Sequence, residues 1–206
     1  MEKKLISLVT PCYNEEGNVA VLYEQVKVVI EGQLNKYDYE HIFIDNASSD
    51  NTVEILKEIA KNDNNVKIIV NSRNFGHLRS PVYAMMQASG DVVISLVADL
   101  QDPPEMIVDF IRSYEEGYNI VLGIKDSSKE NSLMFKIRGL YYSLLNKVSD
   151  TEIYENYTGF GLYDKKTIEA LQKMPDAYPF FRGMIAEIGY KVKKISYKQP
   201  IRVKGV

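Results

Sequence analysis

The sequence predicts an α/β domain built on a mostly parallel sheet that is covered by helices on both faces. Three observations predict it. Strand and helix patterns alternate through the first 124 residues, as a chain of βαβ units does. The run Val92-Val93-Ile94-Ser95-Leu96-Val97 is apolar almost throughout, as a strand buried on both sides requires. Oxygen-bearing side chains recur where three of the strand patterns end. They therefore gather at the carboxyl edge of the sheet, where open α/β sheets bind their ligands.

Leu5-Ile6-Ser7-Leu8-Val9 is the first strand, and Pro11 is expected to end it. Residues 15–34 carry Val19, Leu22, Val26, Val29 and Ile30 at helical spacing. His41-Ile42-Phe43-Ile44 is the second strand. Ser48-Ser49-Asp50-Asn51-Thr52 offers several N-caps to a helix with Val53, Leu56 and Ile59/Ala60 on one face. Val66–Val70 is the third strand, and residues 76–89 read as helical. The fourth strand precedes Asp99, residues 104–116 form the next helix, and Ile120–Gly123 is the fifth strand. After a polar loop at 126–131, residues 132–148 have a broad apolar stripe. That stripe suits a core helix, or a helix lying on a membrane surface. Residues 149–158 look irregular, Gly159–Tyr163 is a short strand, 165–173 a short helix, 179–188 a helix and Val192–Tyr197 a last strand.

Composition narrows the function. A chain of 206 residues with 45% apolar and 26% charged residues is one ordinary globular domain. Cys12 is the single cysteine, which rules out an internal disulfide and favours an intracellular setting. With His41 and His77 as the only histidines, a zinc site of His and Cys is not expected. The N-terminus runs straight into a strand pattern, so no signal peptide is expected, and no apolar run has the length of a membrane span. Residues 1–124 hold 10 Lys/Arg against 19 Asp/Glu, a balance of −9, and residues 125–206 hold 15 against 9, a balance of +6. An acidic chain is a poor partner for nucleic acid, whereas its basic C-terminal part suits phosphates or an anionic membrane surface.

The richest segment is Ala98-Asp99-Leu100-Gln101-Asp102-Pro103-Pro104-Glu105-Met106. It sets oxygen ligands at the end of a buried strand, and oxygen ligands suit a hard cation such as Mg²⁺ or Mn²⁺ holding a phosphate. Pro104 is placed to open the following helix. Thr10-Pro11-Cys12-Tyr13-Asn14-Glu15-Glu16 lacks both the glycine spacing of a dinucleotide fold and the lysine of a phosphate-binding loop. Asp45-Asn46-Ala47-Ser48-Ser49-Asp50 ends the second strand, and a carboxylate there suits a ribose hydroxyl or a base N–H. Tyr13/Glu15, Asp45/Asn46 and Asp99/Gln101 each read singly as turn or cap residues, but together they call for a ligand.

These motifs, with Ser72-Arg73-Asn74-Phe75-Gly76, resemble family 2 glycosyltransferases of the GT-A fold, a Rossmann-like, mostly parallel sheet flanked by helices. The nearest resemblance is to dolichol-phosphate mannose synthases and bacterial undecaprenyl-phosphate glycosyltransferases, and it covers essentially the whole chain. It implies a single domain over residues 1–206, with a nucleotide-sugar-binding part at 1–124 and an acceptor-side part at 125–206. Pro11, Tyr13, Glu15, Asp45, Asn46 and Gly76 are then assigned to the donor nucleotide, and Asp99 and Gln101 to Mg²⁺ or Mn²⁺ on its diphosphate. Arg138, Arg182 and Arg202 are assigned to phosphate binding. The implied acceptor is a polyprenyl phosphate at the cytoplasmic face of a membrane, which attacks in line and inverts the anomeric centre.

Three departures bear on that reading. Val97 stands where the family usually has the first Asp of Asp-x-Asp, and Asp45-Asn46-Ala47-Ser48 has one charge fewer than Asp-Asp-Gly-Ser. Gly159-Phe160-Gly161-Leu162 stands where many relatives have Asp-Phe-Arg-Leu, so the carboxylate base needed by a hydroxyl acceptor is absent there. Relatives often continue past Arg202-Val203-Lys204-Gly205 into two membrane helices, which casts this chain as a catalytic domain alone. The competing readings are transfer to a saccharide hydroxyl, with Glu155 or Asp164 as base, and a non-catalytic sugar-nucleotide-binding domain. A flavodoxin-like regulator is disfavoured by Asp99-x-Gln101 and the basic tail.

Overall fold

The computed structural model describes residues 3–126, 154–174 and 179–200. The 132–148 helix expected from the sequence therefore lies outside the described residues, as do Arg138 and Arg202. Seven strands form one sheet: β1 (Leu5–Cys12), β2 (Asp38–Asp45), β3 (Val66–Val70), β4 (Val92–Ser95), β5 (Ile120–Lys125), β6 (Tyr157–Asp164) and β7 (Val192–Tyr197). Their order is β3-β2-β1-β4-β6-β5-β7. All neighbours pair in parallel except that β6 runs antiparallel to both β4 and β5. The described helices are α1 (Val19–Gln33), α2 (Thr52–Asn62), α3 (Gly76–Met86), α4 (Met106–Glu115), α5 (Lys165–Gln172) and α6 (Phe181–Ile188).

The two-residue period of a strand divides the core. On β1, Ile6 and Leu8 face the apolar layer formed with Leu22 and Val26 of α1, Leu56 of α2 and Phe110 of α4. Val9 faces the other layer, with Val82 and Met85 of α3, Ile168 of α5 and Ile185 of α6. Both faces of the sheet are thus covered, as the apolar strand runs predict.

The chain runs outward from β1 to β2 and β3, then crosses back to place β4 on the other side of β1. That reversal makes the gap between the ends of β1 and β4 the switch point where such sheets open a crevice. β4 pairs with β1 only as far as Val9↔Ser95, and the chain then turns away. This explains a departure from expectation at Pro11, which lies inside β1 rather than ending it. Hydrogen-bonding direction alternates along a strand. Cys12 accepts from Asn46 N–H on the β2 side, so Pro11 faces the β4 side, where β4 has already left. A missing N–H costs little there. The second departure is β6, whose antiparallel insertion between β4 and β5 has no counterpart in the alternating pattern.

Candidate active site

The crevice at the β1/β4 switch point is a cavity of about 780 Å³. Of the residues singled out from sequence, Pro11, Tyr13, Glu15, Asn46, Gly76, Asp99 and Arg182 line it. They come from the end of β1, the end of β2, the start of α3, the loop after β4 and the first turn of α6. Asp45 and Gln101 do not line it.

One wall is made by two loops zipped together. Asn14 N–H donates to Ser48 Oγ at 2.9 Å, and Glu15 N–H to Thr52 Oγ1 at 2.8 Å. In return Ser49 N–H donates to Asn14 Oδ1 at 2.8 Å, and Asn51 N–H to a Glu16 carboxylate oxygen at 2.9 Å. The polar run 48–52, expected as a choice of helix caps, spends most of its side chains on this zip. Asn51 occupies the N-cap of α2 without a side-chain cap bond, and Asp50 receives the Thr52 N–H instead. The zip turns tightly, with Asn14 and Ala47 both left-handed at φ 55° and 63°. Tyr13 stands out from it, half exposed in the cavity mouth.

Asn46 has both ends of its amide committed to the protein. Its nitrogen donates to Asn74 Oδ1 at 2.8 Å, and its oxygen accepts from Phe75 N–H at 2.8 Å and from Asn71 at 3.2 Å. It ties β2 to the loop that starts α3, and so positions Gly76, itself left-handed at φ 85°. Asp45 is fully buried, in register with Cys12. Its Oδ2 accepts Ser48 N–H at 2.9 Å, and its Oδ1 has no hydrogen-bonding partner among the described residues. A buried carboxylate oxygen without a donor is costly, and a ligand N–H or O–H would remove that cost. Burial, with Asp45 and Glu15 nearby, pushes the Cys12 thiol up, so it stays a neutral wall.

The opposite wall is the loop after β4. Asp99 lines the cavity, and its Oδ1 accepts Gln101 N–H at 3.0 Å. The Gln101 amide nitrogen lies 3.5 Å from the Pro200 carbonyl oxygen. Val97 presents an apolar side chain to the cavity beside Asp99. Asp102, the second Asp of the same motif and not among the expected site residues, also lines the cavity. It is only 2% exposed, and burial pushes its carboxyl up to about 6 despite bonds from Val97 N–H and the Tyr197 hydroxyl. At the far wall Gly159 has φ 110°. A Cβ there would meet open space, but an L-residue would be strained.

Comparison with known proteins agrees with this geometry. Residues 7–186 match the model of glycosyl transferase family 2. The chain belongs to that family. An uncharacterized glycosyltransferase of Bacillus subtilis, YkcC, is 34% identical over 200 residues, covering 97% of this chain and 61% of its own length. The bactoprenol glucosyl transferase of Shigella phage SfV is 34% identical over 202 residues, covering 98% of this chain and 65% of its own. The chain thus spans less than two thirds of the length of these relatives. Among solved structures, Staphylococcus aureus TarS 1-349 with UDP-GlcNAc superposes with a TM-score of 0.62 at 16% identity, over 98% of this chain and 60% of that one. Mycobacterium tuberculosis glucosyl-3-phosphoglycerate synthase with Mg²⁺ and UDP gives 0.64 at 19%, over 98% and 73%. These similarities establish the fold, which is GT-A.

Proposed function

We propose that the chain is the transferase domain of an inverting enzyme that moves a sugar from a nucleotide sugar to a polyprenyl phosphate. One observation carries the reading: a single cavity is lined by Asp99 on one wall, the zipped donor loops on another, and Arg182 with Gly159 on the far side. Tyr13 offers a face to the base. The Asp45 carboxylate, outside the cavity lining and with Oδ1 unpartnered among the described residues, is the acceptor offered to the nucleoside, and Asn46 holds the α3 loop in place. Arg182 attracts an anionic acceptor. A phosphate oxygen is already ionised near neutral pH, so no carboxylate is needed at Gly159. The acceptor oxygen bonds to the anomeric carbon as the bond from that carbon to the donor diphosphate breaks. The nucleoside diphosphate leaves with the electron pair. The acceptor assignment is also supported by relatives that are named bactoprenol glucosyl transferases. Such an acceptor places the reaction at a membrane surface, on the cytoplasmic side where nucleotide sugars are made.

The donor set fits Mg²⁺ or Mn²⁺ of the kind that keeps most of its ligands from phosphate and water. Asp99 supplies one carboxylate to the cavity, whereas Gln101, expected beside it, lies outside the lining with its amide nitrogen 3.5 Å from the Pro200 carbonyl oxygen. Among the described residues no group of three His, Cys, Asp or Glu side chains forms a protein-only cage. When bound, the cation would offset the charge that builds on the leaving diphosphate.

The test is a transfer assay with labelled nucleotide sugars and undecaprenyl phosphate in detergent, using the chain within its full-length protein. Label in the lipid phase is the expected result. Label entering only saccharide hydroxyls, or nucleotide-sugar binding with no turnover in any condition, would replace this reading with one of its competitors.

A further inference from the structure

We infer that Tyr197 and Asp102 form a positioning pair that aims Asp99 at the donor diphosphate; this rests on the function proposed above. Asp102 closes the 97–102 loop on itself, since its Oδ2 accepts the N–H of Val97 at 3.0 Å, just past the end of β4. Asp99 sits inside that ring, with its own Oδ1 on Gln101 N–H. Between them Leu100 is held left-handed at φ 63°. A leucine leaves that conformation unless its surroundings hold it there. The other oxygen of Asp102 accepts the Tyr197 hydroxyl at 3.0 Å, across 95 positions of sequence.

Tyr197 is well placed to serve as a fixed point. It ends β7, in register with Lys125 of β5. Its ring packs edge-on against Phe160 at 5.3 Å, and Phe160 packs in turn on Phe110 of α4 at 4.8 Å. The hydroxyl thus projects from a rigid aromatic stack, and both partners are nearly inaccessible to solvent. A second link runs in parallel, from the Gln101 amide to the Pro200 carbonyl. The last strand of the sheet therefore sets the shape of the loop that carries Asp99. Neither Tyr197 nor Asp102 needs to touch the donor for this.

Outer residues that orient a metal ligand typically matter by about 10–100-fold in metal affinity. The experiment measures nucleoside and nucleoside diphosphate affinity by calorimetry, with Mn²⁺ and with chelator, for wild type, Tyr197→Phe, Asp102→Asn and the double variant. Tyr197→Phe keeps the aromatic ring and deletes only the hydroxyl, which meets Asp102 and Thr158. The expected result is a loss of about tenfold in the Mn²⁺-dependent gain of diphosphate affinity, with nucleoside affinity unchanged. The double variant is expected to lose no more than the worse single one. A merely structural role would lower nucleoside affinity and melting temperature together. A Tyr197→Phe variant that keeps the full Mn²⁺-dependent gain overturns the inference and leaves the proposed function standing. A wild type with no such gain overturns both.

Discussion

The two walls of the cavity are held in opposite ways. On the donor side, loops 13–16 and 45–52 exchange at least four side-chain-to-backbone hydrogen bonds, and Asn46 adds three contacts to the next loop. On the side proposed for the diphosphate, the 97–102 loop is held from afar by the Tyr197 hydroxyl on the buried Asp102 carboxylate and by one long link from the Gln101 amide to the Pro200 carbonyl. Redundant short links make a wall whose shape survives the loss of any one. Two sparse long-range links make a wall that the loss of one can loosen. A nucleoside is a rigid ligand that suits the first kind. A metal diphosphate, whose charge must be met where it develops, depends on aim and suits the second.

The largest expected effect uses two buried titratable groups, one inside β2 and one on the 97–102 loop. Burial pushes His41, bonded to Thr10 within the sheet, down to about 3 from 6.5. The unfolded chain then takes up a proton that the fold excludes between about pH 6.5 and 3, so this group's contribution to stability is lost as pH falls. The slope approaches 1.4 kcal/mol per pH unit, roughly 4 kcal/mol across the window. Asp102, raised to about 6 from 3.8, has the opposite sign. Between about pH 4 and 6 the fold keeps a proton that the unfolded chain releases, so its contribution is lost as pH rises. Urea unfolding from pH 3.5 to 7 is expected to show His41→Gln gaining on wild type as pH falls, and Asp102→Asn losing on it. Difference curves of the same sign would contradict these burial assignments.

Next comes Asp99→Asn. Loss of the charge proposed to meet the cation is expected to cut Mn²⁺-dependent diphosphate affinity by about 100-fold, near 2.7 kcal/mol, while the melting temperature stays put. Unchanged diphosphate affinity in Mn²⁺ would remove Asp99 from the metal site. Asp45→Ala is expected to weaken the free nucleoside and its diphosphate equally, by about 2 kcal/mol, the scale of one hydrogen bond to a charged group. Equal affinity of variant and wild type would leave Asp45 only its Ser48 bond. The smallest effect tests redundancy directly. Ser48→Ala removes one tooth of the zip and is expected to cost about 1 kcal/mol of stability without altering the Mn²⁺-dependent gain. A large loss of nucleoside affinity would show that the donor wall is no more redundant than its neighbour.

The same contrast explains what could be read from the sequence. β3 and β7 match their sequence-predicted bounds because their patterns are local. The α1 face of Val19, Leu22, Val26, Val29 and Ile30 is buried as its spacing requires. The convergence of three strand ends was legible because a parallel sheet forces it. The reversed β6 was not, since strand direction is set by partners far away in sequence. Pro11 was read as a terminator because its missing N–H matters only if a neighbour needs it, and the departure of β4 is invisible in the local sequence. Asn46 lines the cavity as expected, and the loop amides that also hold it are beyond the reach of a local pattern. Asp102 sat in the most informative motif, but its role depends on Tyr197 at the other end of the chain. A buried aromatic at the end of the last strand was the only signal available.

The central claim is that one cavity divides its work between a metal-independent nucleoside wall and a metal-dependent diphosphate wall. The most direct measurement is calorimetric titration of the four common ribonucleosides and their diphosphates into the wild-type protein, with Mn²⁺ and with chelator. The account predicts that one nucleoside binds equally in both conditions and that its diphosphate binds more tightly in Mn²⁺ alone. A diphosphate that binds equally well in chelator, or a nucleoside that itself requires Mn²⁺, would contradict it.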